Sequence, residues 1–319
     1  MLPTFFIVGA AKSGTTALAA FLDQHPDVYL SRPKEPAYFV PDDVRRHAGP
    51  GDAARVPYTA TDGAAYRALF AGRSERALGE ATTSYLALPG CAEAIRSRVP
   101  HARILAVLRD PVERAHSAFV HLRREGREPG DDLREAVRRE PERVAAGYEP
   151  LWHYVGAGRY AEQLERYLAV FPAEQVHVLL HDDLLADPVA TVRRCYAHLG
   201  VDDGFAPRTD ERFNAGGAPR SRRVMRLLHE PPAPVRRVAR RIVPSQRLRT
   251  RTFLSLYRAN LAAPETLDAA LRRELLPRFH DDLERLEVLL GRDLDAWRAP
   301  VPRAAGFDRR RARPPGLPG

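Results

Sequence analysis

The apolar run Phe5-Phe6-Ile7-Val8 passes directly into Gly9-Ala10-Ala11-Lys12-Ser13-Gly14-Thr15-Thr16-Ala17-Leu18. Four apolar residues bounded by turn-forming ones are too few for a helix, and they read as a buried strand. Past the loop, Thr16 to Gln24 sets Leu18, Phe21 and Leu22 on one helical face. A strand, a glycine-bearing loop and a helix in that order bring backbone N–H groups and a helix N-terminus to bear on an anion. Lys12 supplies a point charge there, and Ser13, Thr15 and Thr16 supply hydroxyls. The opening of the chain is therefore built as a phosphate cradle.

Two further short apolar runs, Ile104 to Leu108 and Val176 to Leu180, have the same strand character. Tyr160 to Phe171 repeats the helical spacing with Leu164, Tyr167 and Leu168 on one face. Strands alternating with helices predict an α/β fold, a central parallel sheet flanked by helices on both faces. From Glu265 to Leu290 the repeat Leu271, Leu275, Phe279, Leu283, Leu286, Leu290 predicts one or two packed helices closed by Gly291. Pro231, Pro232 and Pro234 should break the helix that starts near Arg222. Residues 304 to 319 read as a solvated tail, and no repeat of fixed period appears.

The triphosphatase signature G-x-x-x-x-G-K-[ST] places lysine after its second glycine, whereas Lys12 precedes Gly14. Arg109, followed by Asp110 and Pro111, stands at the strand end where a magnesium-binding carboxylate would be needed. These departures favour a metal-free reaction. A net charge of +9 favours anionic partners, from nucleotides to sulfated metabolites, nucleic acid or acidic membranes. Cys91 and Cys195 are far apart without a C-x-x-C partner, so neither a disulfide framework nor a zinc site is expected. The amino-terminal apolar run is too short for a signal sequence and no stretch is long enough to span a membrane, so a cytoplasmic location without integral membrane contact is expected.

Two motifs in order carry a resemblance to the sulfotransferases that use 3′-phosphoadenosine 5′-phosphosulfate (PAPS), in particular bacterial members and heparan-type sugar sulfotransferase domains. Lys12, Gly14, Thr15, Thr16 and Leu18 match the family's K-x-G-T-T/R-x-L phosphosulfate loop. Arg109-Asp110-Pro111, with Ser117 eight residues beyond the arginine, matches its 3′-phosphate motif. Lys34-Glu35-Pro36-Ala37-Tyr38-Phe39 resembles the K-E-x-x-[FY]-F segment, and Gly79 to Leu86 resembles the G-E-x-[ST]-x-x-Y-[LF] strand and turn. Asn214 through Pro219-Arg220-Ser221-Arg222 is similar to a basic bacterial segment that approaches the nucleotide. The likeness runs over about residues 3 to 300, implying one sulfotransferase domain of P-loop-like fold over 1–300 and a disordered tail over 301–319.

The resemblance implies PAPS as co-substrate, no metal, and transfer of the sulfuryl group to a hydroxyl of a small-molecule or carbohydrate-like acceptor. Lys12, Ser13, Gly14, Thr15 and Thr16 would hold the phosphosulfate, with Lys12 at the leaving oxygen. Arg109 and Ser117 would grip the 3′-phosphate, supported by Arg220 or Arg222. Glu35 is the expected base and Glu80 the second candidate; Glu35, Tyr38, Glu80 and Tyr85 form the expected acceptor side. His116, His153, Trp152 and Tyr154 read as packing residues rather than site residues. The arginine-dense stretch from Arg220 to Arg251 reads as a solvated helical face; without a helix-turn-helix or aromatic platform, no nucleic-acid partner is expected. Two alternatives remain at this point: a kinase using a nucleotide triphosphate, and a non-catalytic protein that binds anions or nucleic acid. The polar segments 41–71 and 123–152 are expected to frame the acceptor pocket.

Overall fold

A computed structural model of the chain describes residues 1–45, 47–53, 62–210, 221, 224, 255–256, 259–260 and 266–300. Strands β1 (Phe5–Gly9), β2 (Val28–Leu30), β3 (Ala77–Ala81), β4 (Arg103–Leu108) and β5 (Val176–Leu180) form a five-stranded parallel sheet in the order β2-β3-β1-β4-β5. The helices described are α1 (Thr15–Leu22), α2 (Gly63–Ala68), α3 (Cys91–Arg98), α4 (Pro111–Arg124), α5 (Leu133–Arg138), α6 (Glu140–Ala145), α7 (Tyr160–Val170), α8 (His181–Ala186), α9 (Pro188–Leu199), α10 (Ala269–Leu275), α11 (His280–Leu290) and α12 (Asp295–Arg298).

The three apolar runs read from the sequence are β1, β4 and β5. β2 is only three residues long, and β3 carries Gly79 and Glu80, both poor strand formers. Gly79 is needed where it stands, because a Cβ there would lie 2.1 Å from the Phe5 ring on the neighbouring strand. Alternation along β1 feeds two cores. Phe5 and Ile7 pack with Leu18 and Leu22 of α1 and with Val192 and Tyr196 of α9. Phe6 and Val8 pack on the opposite face with residues of α3, α4 and α7, such as Ile95, Val112 and Leu164. A sheet covered on both faces is what its continuous apolar strands require.

The carboxy-terminal repeat folds as two helices. Between α10 and α11 a short 3-10 turn spans Leu276–Phe279; Pro277 lacks the N–H that would continue α10. Gly291, at φ 57°, ends α11 as expected. Asp110 caps α4, accepting from the Val112 N–H at 2.9 Å and the Glu113 N–H at 3.1 Å, with Pro111 in the first turn. Its other oxygen pairs at 2.6 Å with the fully buried Arg272, which also donates to the carbonyls of Trp297 (2.6 Å) and Ala299 (2.8 Å). The chain's last described helices are thus fastened to the turn after β4. Arg272→Ala would leave Asp110 buried and without that cation, a loss of about 3–5 kcal/mol. A thermal melt should fall by roughly 10 °C; a midpoint within a degree of wild type would contradict this role.

Cys91 and Cys195 are buried and unpaired. Among the described residues, no helix is long and apolar enough to cross a membrane. The arginine-dense stretch 220–251, apart from Ser221 and Val224, lies outside the described residues, as do its proline break and the segment 301–319.

Candidate functional site

The phosphate loop leaves the sheet at the carboxyl end of β1, where parallel strands open a crevice between their crossover connections. Ala10 N–H bonds to the Val107 carbonyl at 2.8 Å and Ser13 N–H to the Ala10 carbonyl at 3.2 Å, closing a tight turn. Lys12 (φ 71°) and Gly14 (φ 96°) both adopt left-handed backbone. At Gly14 this is combined with close approach, since a Cβ would stand 2.9 Å from the ring of His181. No side chain caps α1 and no acidic residue occupies its first turn, so the N–H groups at its start remain available to an anion.

Lys12, Gly14, Thr15 and Thr16 line one side of a cavity of about 500 Å³. Lys34 and Glu35 stand across from them, with Thr82, Thr83 and Ser84 beyond the end of β3. A hydrogen bond joins the two sides, Lys34 Nζ donating to Thr16 Oγ1 at 3.0 Å, and a second ties Glu35 to the end of β3, Thr83 Oγ1 donating to Glu35 Oε1 at 3.3 Å. Lys34 Nζ also lies 3.7 Å from Glu35 Oε1. Glu35 is held at φ 63°, with its N–H on the Ala81 carbonyl at 3.0 Å. The remaining wall comes from His47, His121 and the segment Glu149 to Leu151. Residues of the segments 41–71 and 123–152 thus enter this wall, and those segments also contain α2, α5, α6 and a 3-10 turn at Pro150–Trp152.

His121 is half-buried, and desolvation pushes its pKa down to about 4, with the Lys12 charge adding to the effect and Glu125 opposing it. Arg124 Nη2 lies 2.7 Å from His121 Nδ1 and must be the donor, so Nδ1 accepts and Nε2 carries the proton toward Glu125, 3.0 Å away. Both ring nitrogens are engaged, which leaves this neutral imidazole as wall rather than base. His181, beneath Gly14, is likewise pushed down to about 4 by burial and by the nearby Arg109 charge.

Arg109, at the end of β4, reaches the loop from below, with Nη1 3.4 Å from the Lys12 carbonyl. Its Nη2 pairs with Glu113 at 2.9 Å, one turn along α4. Ser117 lies on the same helix, half-buried, four residues after Glu113 and four before His121. Neither Arg109 nor Ser117 lines the cavity itself; Arg109 stands beside the loop that does.

A sequence model of the sulfotransferase family matches residues 3–206. The chain belongs to the sulfotransferase family. It is 39% identical to a sulfotransferase from Alicyclobacillus acidocaldarius whose crystal structure superposes with a TM-score of 0.73, covering 94% of this chain and all of that one. Among curated relatives, heparan sulfate glucosamine 3-O-sulfotransferase 3A1 of Mus musculus is 30% identical over 201 residues, 63% of this chain and 46% of its own length. A bifunctional heparan sulfate N-deacetylase/N-sulfotransferase 1 of Caenorhabditis briggsae is 26% identical over 219 residues, 67% of this chain and 24% of its own. The match thus spans between a quarter and a half of these curated relatives.

Several expected site residues of this family member stand elsewhere than the cavity wall. Ser13 is fully buried with its hydroxyl beside that of Tyr160, and it does not reach the cavity wall. Tyr38 stacks on Tyr66 with ring centroids 4.3 Å apart, and its hydroxyl bonds to Arg98. Glu80 and Tyr85 are completely buried. Tyr66 donates to Glu80 Oε2 at 2.5 Å, and Tyr85 accepts the Phe39 N–H at 3.1 Å. None of these three lines the cavity. Trp152 and Tyr154 are core residues, as expected. Arg220 and Arg222 lie outside the described residues. Sequence reasoning passed over Lys34, His47, His121 and Glu149 as cavity residues. Only His121 had a signal of its own, the four-residue step beyond Ser117 on one helix face.

Proposed function

We propose that the protein transfers the sulfuryl group of PAPS to a hydroxyl of a small-molecule or sugar-like acceptor bound in the Lys12–Glu35 cavity. The observation that carries this reading is the convergence of Lys12 and Glu35 on one cavity, bridged by the Lys34–Thr16 hydrogen bond, with Thr83 holding the Glu35 carboxylate. Thr15, Thr16 and the start of α1 would hold the 5′-phosphosulfate, while Arg109 and Ser117 take the 3′-phosphate. In the reaction the acceptor oxygen bonds to sulfur as the bond from sulfur to the 5′-phosphate oxygen breaks. Glu35 takes the acceptor proton, and Lys12 balances the negative charge gathering on the departing oxygen. The other product is adenosine 3′,5′-bisphosphate. None of these steps calls for a metal.

The first experiment pairs a thermal-shift assay with a transfer assay. PAPS, but not ATP, should raise the melting midpoint, and ³⁵S-labelled PAPS should label at least one member of a panel of hydroxylated sugars and small molecules. A shift with ATP alone would overturn the reading. Arg109→Ala should weaken PAPS binding at least about tenfold in calorimetry, since a charge-assisted pair to phosphate is worth roughly 1.5–3 kcal/mol. Wild-type affinity in that variant would take the arginine out of the site.

A further inference from the structure

The phosphate loop and the Glu35 side account for two parts of the cavity, and the mechanism above leaves the third unused: His47, His121 and Glu149 to Leu151. In the proposed reaction the 3′-phosphate goes to Arg109 and Ser117, which do not line the cavity. The body of the acceptor, beyond its reacting hydroxyl, therefore has this wall to rest on. Its three pieces are far apart in sequence. His47 precedes α2, His121 belongs to α4, and Glu149 to Leu151 lead into the 3-10 turn at Pro150–Trp152.

Behind the wall lies a buried ion pair, Arg127 with Asp52, neither of which lines the cavity. Each nitrogen of the Arg127 guanidinium goes to a different piece. Nε donates to the Pro50 carbonyl at 2.8 Å, three residues past His47. Nη1 donates to Glu125 Oε2 at 3.1 Å, and Glu125 Oε1 takes the His121 Nε2 proton at 3.0 Å. Nη2 donates to Glu149 Oε1 at 2.6 Å as well as to Asp52. Asp52 joins two of the same pieces through its own oxygens: Oδ2 accepts the N–H groups of Gly49 (2.9 Å) and Glu149 (3.0 Å), and Oδ1 accepts the Trp152 indole N–H (3.0 Å). The packing leaves little slack, since a Cβ on Gly49 would stand 2.7 Å from Asp52 Oδ2, and one on Gly51 (φ 76°) would stand 2.9 Å from the Arg127 side chain. Other bonds tie one or two of the pieces, such as Ala48 N–H on the Gly147 carbonyl at 3.1 Å and Arg124 Nη2 on His121 Nδ1 at 2.7 Å. Arg127 reaches all three, through a planar fork whose donors point in fixed directions.

We infer that Arg127, paired with Asp52, is a positioning residue that sets the acceptor wall by fixing His47, His121 and Glu149 relative to one another. It touches no substrate. Its consequence for turnover rests on the acceptor binding proposed above, whereas the placement of the wall does not.

The test is Arg127→Lys, which keeps a cation beside Asp52 but replaces the fork with one ammonium that cannot reach Pro50, Glu125 and Glu149 together. In NMR spectra the His47 and His121 rings and the Leu151 amide should shift, while the Gly14 and Thr15 amides of the phosphate loop stay in place. With PAPS and the fastest acceptor from the ³⁵S screen, the KM for the acceptor should rise at least about tenfold, because a displaced wall no longer fits the body of the acceptor. The dissociation constant for PAPS should stay within about twofold. A merely structural role would lower the amount of folded protein and leave both constants where they were. Should Arg127→Lys not fold, Glu125→Gln leaves the buried pair intact. A glutamine offers one oxygen to two donors, so either Arg127 or His121 meets its NH₂ group; the His121 ring should shift, and the acceptor KM should rise at least about threefold with PAPS affinity again unchanged. Unmoved wall resonances, an acceptor KM within about twofold of wild type, or a loss of PAPS affinity as large as the loss for the acceptor overturns the inference. A wild-type protein that neither binds PAPS nor transfers its sulfuryl group overturns the sulfuryl-transfer reading instead, and the wall resonances still decide the placement.

Discussion

Lys12→Ala is expected to lower turnover by about a thousandfold while changing PAPS affinity by less than about tenfold. The magnitude follows from one charge acting at close range. At about 4 Å and an effective dielectric near 20, a unit pair is worth about 4 kcal/mol, and that much transition-state stabilisation corresponds to about three orders of magnitude in rate. Binding should suffer less, because Thr15, Thr16 and the uncapped start of α1 still face the anion. The backbone gives no separate reason for a loss. Lys12 and an alanine in its place pay the same cost at φ 71°, so the effect belongs to the ammonium group. Lys34, 3.0 Å from Thr16, is the residue placed to supply residual rate, and Lys12→Ala with Lys34→Ala should fall further than either alone. Rapid-quench turnover with saturating PAPS measures both. A loss under tenfold in Lys12→Ala would show that the lysine does not meet the leaving oxygen.

What could be read from the sequence was what depends on chain order. The phosphate loop and the Arg109-Asp110-Pro111 turn each follow an apolar strand directly, and a parallel sheet brings the carboxyl ends of β1 and β4 together. Hence the approach of Arg109 to the Lys12 carbonyl follows from two local patterns and one topology. The side chains at Glu80 and Tyr85 were harder, because the motif names them without saying which way they face. In the sheet Glu80 lies beside Phe6, and parallel neighbours share a side, so its carboxyl enters the layer that Phe6 and Leu78 fill. The Tyr66 hydroxyl meets it there with a hydrogen bond. Nothing in the spacing of Gly79-Glu80 announces Tyr66, which comes from a different helix.

His47 and Glu149 were out of reach for another reason. Glu149 belongs to a buried polar network assembled from distant segments, and His47 stands two residues before Gly49, which is bonded into it. Asp52 accepts the N–H of Gly49 (2.9 Å), the N–H of Glu149 (3.0 Å) and the Trp152 indole (3.0 Å), and it pairs with Arg127. Arg127 in turn holds Glu149 at 2.6 Å. Each member of this network is an ordinary polar residue in a polar segment when seen in sequence. Only the fold brings the pieces within bonding distance.

Glu35→Gln is expected to abolish measurable transfer, a loss of about 10²–10⁴ in kcat, with PAPS binding preserved. The substitution keeps nearly everything except the charge. A glutamine can still accept the Thr83 hydroxyl bond that Glu35 Oε1 accepts at 3.3 Å, and it can hold the same left-handed backbone with its N–H on Ala81. What it loses is the ability to take a proton. Binding and chemistry should therefore separate: calorimetry with PAPS unchanged, single-turnover transfer gone. Lys34 sharpens the distinction, because its ammonium lies 3.7 Å from Glu35 and 3.0 Å from Thr16 Oγ1. If Glu35 served only to hold Lys34 against the phosphosulfate loop, removing its charge would weaken PAPS binding and leave the acceptor step intact. Lowered PAPS affinity with near-normal single-turnover transfer would thus reassign Glu35 from base to anchor, and the base would have to be sought on the His47–Glu149 wall.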